Sequence, residues 1–174
     1  LDLLNEIRKD EDIVIDEKMY IRARLFDMLL GDWDRHEDQW RWAKTKRDGK
    51  TVYLPVPRDR DQVFSIMNDG WLLQLGTTLI PTMKLLRAYD DDIKSVKWFN
   101  MEPYPLDVAL IRESNKAVWD AEAQIIINNI TDEAIESAFK IVPKEIQGSN
   151  IEDIKTTLKA RRANLNSLSD RYYY

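Results

Sequence analysis

A chain of 174 residues is long enough to bury one sizeable core, and its formal charge of −5 argues against a general nucleic-acid surface. Hydrophobic residues make up 44% and charged ones 33%, with no apolar run near the roughly 18 residues of a membrane span. The absence of cysteine excludes disulfides, thiol chemistry and cysteine-ligated zinc. The chain starts at Leu1 without methionine and stops on Arg171-Tyr172-Tyr173-Tyr174, so the expectation is a single domain, 1–174, excised from a longer protein.

In chain order, Leu1 to Arg8 reads as a short amphipathic helix with Leu1, Leu4 and Ile7 on one face, followed by the charged break Lys9-Asp10-Glu11-Asp12. Asp16 is placed to cap a second helix, whose Ile21, Leu25, Met28 and Leu29 share one face and which Gly31 ends. Asp32 and Asp34 therefore enter a loop directly beyond a buried helix. Gln39-Trp40-Arg41-Trp42-Ala43 then alternates by type, Asp48-Gly49 is a hairpin turn signal, and Thr51 to Val56 reads as the return strand. Pro55 and Pro57, lacking an N–H, are expected to end the ladder.

From Trp71 to Tyr89 the pattern is mixed, with Met83, Leu85 and Leu86 suggesting a helix after Pro81, and Asn100 to Pro105 reads as an extended loop. The C-terminal part, 106–174, reads as helical: Leu106 to Arg112, a long helix over Lys116 to Asn129, a Thr131-capped helix reaching about Val142, and a last helix opened by a Ser149-Glu152 capping box. The predicted fold class is mainly α with a small β-hairpin (α+β).

Two acidic clusters flank that hairpin, Gly31-Asp32-Trp33-Asp34-Arg35-His36 and Arg58-Asp59-Arg60-Asp61-Gln62, within a stretch spanning 31–66. Asp34 is followed five positions later by Gln39. An aspartate and an amide so spaced suit phosphoryl transfer, where the carboxylate orients the nucleophile and the amide oxygen ligates magnesium. Asp59 and Asp61 add hard oxygen ligands for magnesium, calcium or manganese, while Arg58 and Arg60 are either phosphate contacts or internal salt-bridge partners. The lone histidine, His36, cannot build a His-rich metal site and is expected to orient the Asp34 loop through a hydrogen bond. The five glycines stand singly at 31, 49, 70, 76 and 148, so there is no glycine-rich phosphate loop. Asp90-Asp91-Asp92 reads as a solvated loop, and Trp33, Trp40, Trp42 and Trp71 as core.

Asp34-Arg35-His36-Glu37-Asp38-Gln39-Trp40, a hairpin, then Pro57-Arg58-Asp59-Arg60-Asp61-Gln62-Val63-Phe64 resembles the catalytic and metal-binding loops of atypical protein-kinase-like families. These are the spore-coat kinases of the CotH type, the secretory-pathway kinases, the HipA-type kinases and the type II phosphatidylinositol 4-kinases. The second loop is most similar to the Pro-Trp-Asp-Leu-Asp-x-x-Phe segment of the CotH type. The resemblance covers about residues 17–66 and implies a C-lobe-like helical domain. It also implies a catalytic Asp34, metal ligation by Gln39, Asp59 and Asp61, and magnesium (or manganese) with ATP as cofactors. Gln39 stands where the families have asparagine, Arg58 and Arg60 replace apolar residues, and the lysine-bearing N-terminal lobe has no counterpart in these residues, so the piece alone is expected to be inactive or very weak.

A second resemblance, through Trp119, Thr131-Asp132, Pro143-Lys144-Glu145-Ile146 and Lys159-Ala160-Arg161-Arg162, is to large surface or outer-membrane proteins of Bacteroidetes-type bacteria, which can also carry a metallophosphoesterase domain and a barrel. It implies an extracytoplasmic location, periplasm or cell surface, with neighbouring domains of the same polypeptide as partners. Three functions follow: a kinase-like phosphotransferase lobe acting on a nucleotide and a protein substrate, a non-catalytic accessory domain of such a surface protein, or calcium binding by the acidic loops.

Overall fold

The computed structural model describes residues 2–65, 89–143, 145 and 147–174, so the segment around Pro81 lies outside the described residues. The fold is mainly helical with one small sheet. Helix α1 (Asp2–Lys9) and strand β1 (Ile13–Ile15) lead into helix α2 (Glu17–Leu30), a 3-10 turn (Glu37–Gln39) and the hairpin β2 (Trp40–Arg47) and β3 (Lys50–Pro57). The helices α3 (Val96–Phe99), α4 (Tyr104–Leu110), α5 (Lys116–Asn129), α6 (Asp132–Phe139), α7 (Ser149–Ala163) and α8 (Leu165–Tyr173) follow.

Helix α2 is the axis of the molecule. Asp16 caps it, its carboxylate accepting from the Met19 N–H at 3.0 Å, and Gly31 closes it at φ 80°. A side chain at Gly31 would be strained by that φ and would meet the Tyr89 ring at 2.7 Å. Ile21, Leu25, Met28 and Leu29 are fully buried against Trp119, Ala123 and Ile126 of α5, Ile135 of α6, Leu158 of α7, and Leu165 and Leu168 of α8. Tyr20, on the other side of α2, packs in a second cluster with Trp40, Leu106 and Leu110. Each such aliphatic or aromatic side chain contributes roughly 1.5–3 kcal/mol on burial, so α2 anchors both halves of the core.

Within the sheet β3 is central, parallel to β1 and antiparallel to β2. Asp48 and Gly49, at φ 51° and 82°, make the two-residue turn that matches the twist of the strands. β1 is three consecutive apolar, β-branched residues, Ile13-Val14-Ile15, that the periodicity reading passes over. The prolines do not end the ladder: β3 continues through Pro57, with Pro55 opposite Trp42 and Pro57 opposite Trp40. With Arg47 and Lys50 as the bonded pair at the turn, odd-numbered β3 residues point their N–H groups away from β2, and β1 covers that edge only as far as Tyr53. A missing N–H at 55 and 57 therefore removes no ladder bond.

Three other expectations are corrected. Asn100 to Pro105 is not an extended loop, because Pro103 is in the α-helical region and Pro105 sits in the first turn of α4, where its absent N–H is not needed. The Ser149 capping box does not form: Gly148 is the N-cap, Ser149 lies inside α7 and no side chain caps it. The last helix breaks at Asn164 (φ −92°, ψ 1°) into α7 and α8. Thr131 does cap α6, its hydroxyl accepting from the Ala134 N–H at 3.2 Å.

Candidate functional site

The two acidic loops lie side by side at the open end of the hairpin, beneath the C-terminus of α2. Every one of the last carbonyls of α2 is engaged, and one of these bonds joins the loops. Asp27 O accepts from the Asp32 N–H at 2.9 Å, Met28 O from Arg161 Nη1 at 2.9 Å, Leu29 O from the Tyr89 hydroxyl at 2.9 Å, and Leu30 O from the Phe64 N–H at 3.1 Å. The last bond fixes the far end of the second loop to the start of the first. The near end is fixed where the Arg58 N–H donates to Gln39 O at 2.7 Å. Residues 58–64 are thus pinned at both ends along residues 30–39.

Arg35 is the central pin and is fully buried. Its Nε donates to Asp27 Oδ2 at 3.1 Å and its Nη2 to Asp27 Oδ1 at 3.3 Å and to Asp32 Oδ2; its Nη1 donates to the carbonyl oxygens of Arg58 and, at 3.5 Å, of Gln39. Asp27, with no exposed surface, also receives Arg24 Nη1 at 2.9 Å and Arg60 Nη1 at 2.7 Å. Arg24 continues the network inward to Asp107 (3.1 Å) and to the side-chain oxygen of Asn100 (2.5 Å), and Asp107 accepts the hydroxyls of Tyr20 (2.7 Å) and Tyr172 (2.5 Å).

Two buried guanidinium groups, those of Arg24 and Arg35, the half-buried one of Arg60 and three buried carboxylates therefore form one network, each with a partner of opposite charge. Burial opposes the charge on Arg24, but the carboxylates of Asp107 and Asp27 outweigh it and move its pKa up. Burial likewise pushes the Tyr20 hydroxyl up, with the Asp107 charge adding to it. Asp32 is pushed up to about 6, by burial first and then by the nearby Asp27 charge, against the pull of Arg35.

The residues expected to carry chemistry divide accordingly. Asp34 is partly exposed and lies 3.9 Å from His36 Nε2, while His36 Nδ1 accepts from the Asp38 N–H at 3.3 Å, the orienting bond anticipated for it. The Gln39 side chain and the exposed Asp59 and Asp61 side chains make no hydrogen bond or ion pair with the described residues. Asp59 holds a left-handed φ of 46°, which aspartate tolerates better than most residues. Arg58 is exposed and contributes only its backbone to the network. Arg60 takes the internal alternative: it is paired with Asp27, and its guanidinium lies 5.1 Å from the Phe26 ring centre. Asp32, part of the first acidic cluster, is an interior residue.

Among the described residues no group of three or more histidine or carboxylate side chains is placed to hold a metal by itself. A kinase-type site asks less, one carboxylate and one amide, with phosphates and water completing the octahedron. The hard oxygens of Asp59 and Gln39 have the right chemistry for it. The 90–92 run departs from a simple solvated loop: Asp92 pairs with Arg171 on α8, and the Asp90 carbonyl accepts from Arg161 on α7. Arg24, Asp27, Asn100 and Asp107 escape the sequence reading. The signal for them is a charged pair, Arg24 and Asp27, on an otherwise apolar helix, since ionisable residues buried there require partners.

No family model, no curated protein and no solved structure matches the chain. Among the described residues no helix is long and apolar enough to cross a membrane.

Proposed function

We propose that the chain is the lobe of a kinase-like phosphotransferase that carries the catalytic and metal-binding loops and holds a nucleoside triphosphate with magnesium or manganese. The supporting observation is the pinned pair of loops. The backbone of Arg58 is held on both sides, its N–H donating to Gln39 O and its C=O accepting from Arg35, while Asp34, Gln39, Asp59 and Asp61 keep side-chain oxygens outside the interior network. Asp34 orients the acceptor hydroxyl and takes its proton. Gln39 and Asp59 hold the metal, Asp61 supports it, and of the two arginines in the second loop Arg58 is the one available to phosphate, because Arg60 is engaged by Asp27. Magnesium, when bound, offsets charge developing on the transferring phosphoryl group.

Isothermal titration of ATP into the chain tests this reading. Binding is expected only with magnesium or manganese present, and is expected to be weakened strongly by Asp59→Asn. Equal heats with and without the metal, unaltered in that variant, contradict it.

A second reading, a non-catalytic accessory domain packing against a neighbouring domain of the same polypeptide, is favoured by another observation. An open groove of about 520 Å³ runs between α2, the end of β3 and α5, lined largely by apolar side chains including Met19, Phe26, Pro57 and Ile126. On that reading the loop aspartates serve stability, and their replacement lowers the melting temperature without a change in nucleotide binding.

A further inference from the structure

We propose that Arg35 is a positioning residue for the candidate site: its guanidinium, held by Asp27 on α2, sets the separation between the Asp34–Gln39 loop and the Arg58–Asp61 loop. This rests on the reading of those loops as a metal–nucleotide site.

The placement is unusual for an arginine in a loop that carries exposed carboxylates. Arg35 does not reach toward solvent; it turns inward and is fully buried between Asp27, Asp32 and two backbone carbonyls. Those carbonyls belong to Gln39, the amide ligand, and to Arg58, whose carbonyl carbon is bonded to the Asp59 nitrogen. One rigid, planar group therefore touches the backbone of both metal-bearing segments while its other face is fixed to the central helix. A lysine cannot reproduce this, because a single ammonium has neither the reach nor the fork to serve a helix carboxylate and two loop carbonyls together. Asp59 follows directly with its left-handed backbone, so a shift of the Arg58 carbonyl re-aims the Asp59 carboxylate. Residues that orient metal ligands without touching the metal typically change affinity by roughly 10–100-fold when altered.

Arg24 supplies the control. It is as deeply buried and shares Asp27, yet its other partners, Asp107 and Asn100, lie away from the loops. The test is Mn²⁺ binding to the chain, with ATP present, followed by electron paramagnetic resonance, alongside the melting temperature of each variant. Arg35→Lys is expected to weaken Mn²⁺ binding roughly tenfold, whereas Arg24→Lys lowers the melting temperature by a similar or larger amount and leaves Mn²⁺ affinity within about twofold. Should Arg35→Lys not fold, the charge-balanced double variant Arg35→Met with Asp32→Asn carries the same expectation, since neutral replacement of both partners of a buried pair is often tolerated. Wild-type affinity in the Arg35 variants, or an equal loss in Arg24→Lys, overturns the positioning role while leaving the site. No Mn²⁺ binding sensitive to Asp59→Asn in the unsubstituted chain overturns the site itself, and the positioning role with it.

Discussion

The interior and the loop tips of this protein use the same residue types to opposite ends. Around Asp27 and Asp107, aspartates and arginines are buried, matched in charge and bonded to one another, to tyrosine hydroxyls and to backbone carbonyls. On either side of Arg60, Asp59 and Asp61 are exposed and without partners among the described residues. An acidic cluster in sequence is therefore not one object: Asp32 and Asp34, two positions apart, fall on opposite sides of that divide. Polar side chains that share an interior are constrained by desolvation to satisfy each other, whereas side chains at a loop tip, free of that constraint, are the ones available to a ligand.

The sharpest way to break the contrast is Asp27→Ala. It leaves the buried guanidinium groups of Arg24 and Arg35 short of a counter-charge and is expected to cost about 3–5 kcal/mol in urea unfolding; a loss under 1 kcal/mol contradicts the assignment of Asp27 as the hub. Next is Gly31→Ala, expected to cost about 2 kcal/mol, from the positive φ and from a Tyr89 ring held in place by its bond to Leu29 O.

Asp32→Asn sharpens the comparison through pH. A folded-state pKa near 6, raised from 3.8, means that the folded chain keeps a proton which the unfolded chain releases between about pH 4 and 6. Stability from this group therefore falls as pH rises through that window and is level above it. Asparagine mimics the protonated acid, so the variant should gain on the wild type by on the order of 2 kcal/mol between pH 4 and 7. A gap that stays constant, or moves the other way, means that Arg35 dominates and holds Asp32 down. The smallest effect belongs to the loop tip: Asp61→Asn should change stability by no more than about 0.5 kcal/mol.

The hairpin, α2, α5 and α6 are legible in the sequence because their signals are local: the Asp48-Gly49 turn, the Asp16 and Thr131 caps, and apolar periodicity along each helix. β1 is not, since its three residues gain strand character only by pairing with Thr51, Val52 and Tyr53, far along the chain. The prolines of β3 mislead for the same reason: whether a missing N–H matters depends on which edge β1 leaves open. The candidate loops are legible from spacing, and their adjacency follows from the hairpin between them. The network that holds them is not, because Arg24 and Asp107 lie 83 positions apart, and nothing local in the sequence distinguishes an arginine that binds phosphate from one that binds Asp27.

In the proposed function the loop aspartates face a ligand rather than the fold. The most direct test of this is the melting temperature of Asp59→Asn with and without magnesium and ATP, asparagine being chosen because it also accepts a left-handed backbone. The expected result is an unliganded melting temperature level with or above the wild type, and loss of the upward shift expected of the wild type with magnesium and ATP. A fall of several degrees in the unliganded variant, with its response to magnesium and ATP no different from the wild type's, would contradict it.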